Sequence, residues 1–269
     1  MPTKVAAALI PVFLSTSGTA GAIDQARELL TKGVQQFKRG EVTESIASFD
    51  QAMTIDPKLT PYLWQRGLAL YLDDRYDACA NQFATDVAVN PADTEEAVWN
   101  SICIAQKEQK MMPDLIKLSS GDRRPVMQYV YDLYRGKINA QELVDFGKKG
   151  NGGSTFFYSR LYLSLYYHSQ MHEDKTATVY IDEAMKSSYA QKAKDQDLMV
   201  TVGEMLQKKL LSQNQNQDKN EIRTLELMRQ AKRLNINQKT YAKNELNAID
   251  AIKALEAKTQ QKSSSTSTR

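Results

Sequence analysis

Residues Ala26 to Pro57 lie over Thr60 to Pro91 at a constant offset: Gly33 on Gly67, Phe37 on Tyr71, Phe49 on Phe83 and Pro57 on Pro91, each pair 34 residues apart. A unit of this length is a pair of antiparallel helices that cannot bury its apolar face alone and must stack on its neighbours. The spacing therefore predicts an all-α chain. Gly33 or Gly67 lets the first helix of a unit approach the second, and Phe49 or Phe83 fills the space opposite. In I-D-P and V-N-P, Pro57 and Pro91 disfavour helix at the residue before them and end each unit.

The period and its four matched positions resemble the tetratricopeptide repeat (TPR). That resemblance implies a TPR solenoid of antiparallel helix pairs, with two regular repeats, degenerate repeats and a C-terminal helical extension. A third unit starts in register, with Ser101 at the small position and Ile102 matching Leu68. Its second helix is eroded to MMPDLIKLSS, where Pro113 is expected to cap a short helix at its first turn. Pro125 keeps the beat, but inside D-R-R-P, which is not typical repeat sequence. PVMQYVYDLYRG and NAQELVDFGKK read as two helices separated by Gly136, followed by a flexible G-N-G-G-S-T loop with a Ser or Thr N-cap. Phe156 to Ser169, the turn MHEDK, and Ala177 and Ala184 seven residues apart make a degenerate repeat. Helical spacing continues from Ala190 to Leu211.

The expected organisation is a signal peptide-like segment at 1–22, a TPR-like solenoid over 23–211, a polar linker at 212–217, C-terminal helices over 218–258 and a disordered tail at 259–269. Lys4 precedes the apolar run Val5 to Leu14, and STSGTAGA follows, so Ala20-Gly21-Ala22 satisfies the A-x-A cleavage rule and places the mature start near Ile23. The run is too short to span a bilayer. No cysteine follows the cleavage site to accept a lipid, so a soluble, exported chain is expected. Cys79 and Cys103 are compatible with a disulfide in an exported protein and with two buried thiols.

The net charge of +3 is unevenly spread: Lys219 to Arg269 carries 11 basic and 5 acidic residues. Two helices are expected there, Lys219 to Leu234 and Gln238 to Lys258, with narrow apolar stripes (Ile222, Leu225, Met228; Leu246, Ile249, Ile252) that need a partner surface.

Mapped onto the TPR pattern, the concave face of the first three units carries Leu30, Val34, Phe37, Trp64, Leu68, Tyr71, Val98 and Ile102, an apolar groove in which Trp64 and Tyr71 have the geometry of an anchor pair and equally that of two core residues. Such a groove receives either a partner segment or a helix of the same chain. Leu30 and Val34 replace the lysine and asparagine, and Glu95 and Trp99 the two cations, with which related domains grip the carboxylate tails of chaperones. That use is excluded.

No catalytic residues, metal or cofactor are expected. His168 and His172, four apart in HSQMHE, lack the further ligands zinc requires. The G-N-G-G-S-T loop lacks a P-loop lysine. Tyr158, Tyr162, Tyr166 and Tyr167 at helical spacing read as packing rather than base-stacking residues.

The block PYLWQRGLALY…DRYDACANQFATDVAVNPADTEEAVWNSICIAQ resembles TPR-like proteins of plant and algal chloroplasts. More distantly, the layout is similar to the TPR lipoprotein of the enterobacterial envelope, an adaptor for a protease and cell-wall enzymes, though the lipidated cysteine has no counterpart. The resemblance implies a non-enzymatic TPR adaptor in the thylakoid lumen, with a secretory or periplasmic address as the rival. It would bind a protein partner and assist assembly or turnover of a complex. The alternative is that the basic C-terminal helices dock on a membrane surface or nucleic acid while the repeats support them.

Overall fold

The structure, a computed structural model, describes residues 20–112 and 116–233. Most of the expected N-terminal segment, Pro113, the helix expected at Gln238 to Lys258 with Leu246, Ile249 and Ile252, and the 259–269 tail lie outside these residues. Among the described residues every regular element is helical. They are α1 (Ala20–Lys38), α2 (Val42–Ile55), a 3-10 helix (Pro57–Tyr62), α3 (Trp64–Leu72), α4 (Tyr76–Val89) and α5 (Thr94–Glu108), then α6 (Pro125–Tyr134), α7 (Ala140–Lys148), α8 (Ser154–Ser169), α9 (Asp174–Met185), α10 (Ser188–Ala193) and α11 (Leu198–Arg233). Helices pack in adjacent pairs: α1 on α2, α3 on α4, α7 on α8 and α8 on α9, with α4 also against α5.

The glycine positions work as the spacing predicts. A Cβ added at Gly33 would stand 2.8 Å from the Phe49 ring, and one at Gly67 would stand 2.6 Å from the Phe83 ring. Both rings are buried. Gly67→Ala should therefore cost about 1–3 kcal/mol from overpacking, even though alanine favours a helix interior by about 1 kcal/mol. Phe83→Leu in the same chain should recover part of that loss. A double-mutant cycle by urea unfolding is expected to give a coupling of about 1 kcal/mol; additive effects would mean that this contact does not select the glycine.

Pro57 ends the first pair, but α3 starts only at Trp64. The intervening residues wind as a 3-10 helix because Pro57 and Pro61 lack amide donors, and the Asp56 carboxylate accepts from the Lys58 amide. In the third unit Asp93 caps α5 by accepting from the amides of Glu95 (2.9 Å) and Glu96 (3.2 Å). After α5, residues 116–124 are non-helical. They are tied back by Ser119 N donating to Pro91 O at 2.7 Å. Pro125 opens α6 instead of closing a unit.

Two expectations are corrected. The N-cap of α8 is Gly153, with Ser154 already helical. The loop before it is held in place: Gly153 N donates to Gly150 O at 2.8 Å, and Gly152 O accepts from Ser188 Oγ at 2.9 Å and Tyr189 N at 3.0 Å. The polar stretch 212–217 is not a break, because α11 runs through it. It has neither glycine nor proline, and its Gln, Asn and Ser residues each cost a helix at most about 0.7 kcal/mol. The chain nevertheless divides into two compact units between Gln213 and Asn214.

Cys79 on α4 and Cys103 on α5 form a disulfide with Cα atoms 5.9 Å apart. Both residues are fully enclosed. One turn along each helix, Phe83 stacks on Trp99 with ring centroids 5.8 Å apart.

Candidate functional site

The residues expected on a concave face divide into two groups. Phe37, Leu68, Tyr71, Val98 and Ile102 are at most 1% exposed, and Leu30 is buried with Phe49, Ala52 and Leu63. Only Val34 and Trp64 stay partly open. Tyr71 is thus a core residue and not half of an exposed anchor pair. The expected open groove is filled by this chain's own later helices.

Residues on α8 and the first part of α11 supply the filling. Tyr162 OH donates to Glu95 Oε1 at 2.9 Å, and Gln106 Nε2 donates to the His168 carbonyl at 3.2 Å. Val202, Leu206 and Leu210, spaced four apart on α11, are fully buried in the core that contains Tyr71 and Val98. Lys209 pairs with Asp74 and sits 6.0 Å from the ring centres of both Tyr71 and Tyr76. Lys38 Nζ donates to Asp195 O at 3.0 Å. The physical reason is hydrophobic: covering a large apolar side chain gains about 1.5–3 kcal/mol, so two complementary stripes in one chain meet. Partial burial works against charge on Asp74, but hydrogen bonds from Lys209 and Tyr76 outweigh it and hold the carboxyl below its usual range.

Among the described residues, Trp64, Leu68, Phe83, Glu95, Glu96, Trp99, Asp197 and Met199 line a small cleft of about 20 Å³, room for roughly one water molecule. Trp99 stacks on Phe83 and meets the Tyr71 ring edge-on at 5.2 Å. Glu95 accepts from Arg124 Nη1 at 2.6 Å, and Arg124 also holds Asp122 at 2.8 Å. Burial opposes the Arg124 charge, but Glu95 and Asp122 more than compensate and raise its already high pKa. Asp197 caps α11 by accepting from the Met199 amide at 2.9 Å, and its other oxygen accepts from Tyr158 OH at 2.8 Å and Tyr189 OH at 2.7 Å. Burial first, then Glu95, pushes the phenols of Tyr158 and Tyr162 well above their ordinary range. Glu95 and Asp197 are thus committed to holding the walls of the cleft in place.

Arg124, Asp197 and Met199 were not singled out in the sequence. The signals were an arginine in the atypical D-R-R-P and an aspartate directly before the apolar run Leu198 to Val200, an N-cap signature.

The two histidines do not meet. His168 is buried, with Nδ1 2.6 Å from Asp174 Oδ1, whereas His172 is exposed in the turn with φ 54°. Among the described residues no three His, Cys, Asp or Glu side chains are grouped to hold a metal ion. Tyr158 and Tyr162 are packed in the core, as their helical spacing predicts. Compared with known proteins, the chain matches no family model, and no curated protein matches it.

Proposed function

We propose that the chain is a non-enzymatic adaptor of the tetratricopeptide kind, a TPR solenoid that holds a helical or extended segment of a protein partner at the open remnant of its concave face. The observation that carries this reading is Trp64. It keeps partial exposure on the wall of a cleft built from Leu68, Phe83, Trp99 and Met199. A large, partly exposed indole beside apolar neighbours is the usual composition of an interface anchor, and a partner's apolar side chain laid against it would shield it. The 34-residue spacing and the two glycine–phenylalanine contacts support the repeat assignment.

The compartment belongs to the same proposal. An enclosed disulfide fits an oxidising location, as does the A-x-A sequence at Ala20-Gly21-Ala22. The chloroplast resemblance favours the thylakoid lumen, with a periplasmic or secretory address second and a role in assembly or turnover of a complex.

Proximity labelling in the native compartment would identify neighbours, and direct binding to purified candidates would then compare the wild type with Trp64→Ala. Loss of an anchor of this type weakens binding by about 30-fold or more, with helix content unchanged by circular dichroism. Retention of every partner by a folded Trp64→Ala protein would reject this site.

A further inference from the structure

Beyond Gln213, α11 belongs to the second compact unit, and there Ile222 and Leu225 are 57% and 49% exposed. Scattered exposed aliphatic residues need no explanation; these two sit in a pattern. Gln215, Asp218, Ile222, Leu225 and Arg229 follow one another at alternating steps of three and four residues, the a and d spacing of a coiled-coil seam. At 100° per residue they share a stripe about 80° wide, and all five are exposed. Lys219 and Glu226 run along one border of the stripe and Glu221 and Met228 along the other, exposed as well. Between Asn214 and Gln230 three acidic side chains balance three basic ones, so the stripe has no net charge with which to select a polyanion or an anionic bilayer.

We propose that this stripe pairs antiparallel with the same stripe of a second copy of the chain. The order of its charges selects that occupant. With the two helices related by a two-fold axis between Arg223 and Thr224, Ile222 faces Leu225 of the second copy, Asp218 faces Arg229, and Lys219 comes within reach of Glu226; symmetry repeats each contact. The aliphatics cover one another and the facing charges meet their opposites. Parallel pairing in register would set Asp218 against Asp218, Arg229 against Arg229 and Glu221 across from Glu226. Sliding one antiparallel helix by a heptad in either direction would set Ile222 against Asp218 or Leu225 against Arg229. The patch is small, so the pairing is weak and concentration-dependent.

Sedimentation velocity of the full chain from about 5 to 500 μM tests this, with half-association expected at roughly 100 μM. Asp218→Arg alone brings arginine against arginine at both ends of the seam and should weaken association by about tenfold or more, as should Ile222→Asp with Leu225→Asp. Asp218→Arg combined with Arg229→Asp in one chain exchanges the two charges and should restore association to within about threefold of the wild type. That recovery is specific to the antiparallel register, because in parallel pairing the exchange leaves like facing like. The substituted positions are exposed, and circular dichroism checks that helix content is unchanged. A wild type that stays monomeric across the range, or an exchanged variant that associates as weakly as Asp218→Arg, would overturn the proposal. So would a monomeric chain that sediments with phosphatidylglycerol vesicles and loses this on Ile222→Asp, which would assign the stripe to a lipid surface instead.

Discussion

Above pH 10 the protein is expected to lose about 5 kcal/mol of stability per pH unit and to unfold cooperatively. The cause is four phenols, Tyr71, Tyr134, Tyr158 and Tyr162, which burial pushes well above their ordinary range. Neighbouring carboxylates add to the shift for three of them: Asp74 beside Tyr71, and Glu95 beside Tyr158 and Tyr162. In the unfolded chain each phenol ionises near pH 10, whereas in the folded chain it stays protonated. The unfolded state therefore binds fewer protons above that pH. Stability is complete below about pH 10 and is lost as the pH rises toward the folded-state values. Absorbance at 295 nm and far-ultraviolet circular dichroism, followed together, check the point. A fraction of the phenolate signal from the 13 tyrosines should appear only in step with helix loss. Full ionisation with the helices intact would show that these four rings are not enclosed.

Replacing Arg124 with methionine should lower stability by about 3 kcal/mol. The substitution keeps most of the apolar stem but leaves Glu95, only 5% exposed, without the guanidinium that faces it at 2.6 Å. Removing one partner of a buried pair strands the other charge, and this costs more than the pair contributes in place. Arg124 keeps 27% of its side chain in solvent, so the effect is set toward the lower end of the usual range. Adding Glu95→Gln to Arg124→Met removes the stranded charge and should return roughly half of the loss. Urea midpoints at an unchanged m-value would measure both. If the double variant is as unstable as the single one, the defect lies in the strap carrying Arg124 and not in charge.

The contrast between what was legible in the sequence and what was not follows the distance between contacting residues. Gly33 with Phe49 and Gly67 with Phe83 could be read because the contact recurs at a fixed offset and rests on sterics between neighbouring helices. The filling of the groove could not, because it depends on residues far apart in the chain: Lys38 with Asp195 and Asp74 with Lys209. Apolar periodicity identified the stripes on α3 and α5 and the helical spacing before Leu211, but periodicity does not say which stripe meets which. The polar stretch before Asp218 reads as a linker, and a boundary between two compact units does fall within it, but its backbone is helical for a different reason. Its composition resembles a linker, yet only glycine or proline would have stopped the helix. The two cysteines were ambiguous because spacing alone does not orient Cβ atoms; only the packing of α4 on α5 brings them together.

The ties from Lys38 to Asp195 and from Lys209 to Asp74 have a mechanical consequence. Stacked helix pairs joined only to their sequence neighbours stretch and recoil like a spring, since each junction opens without disturbing the next. Here the turn before α11 is fastened to the end of α1, and Lys209 of α11 to the turn between α3 and α4. Extending the stack would require shearing the first part of α11 out of its seat. Such ties make the helix pairs resist extension, and under the proposed function they would hold the surface around Trp64 at a fixed spacing.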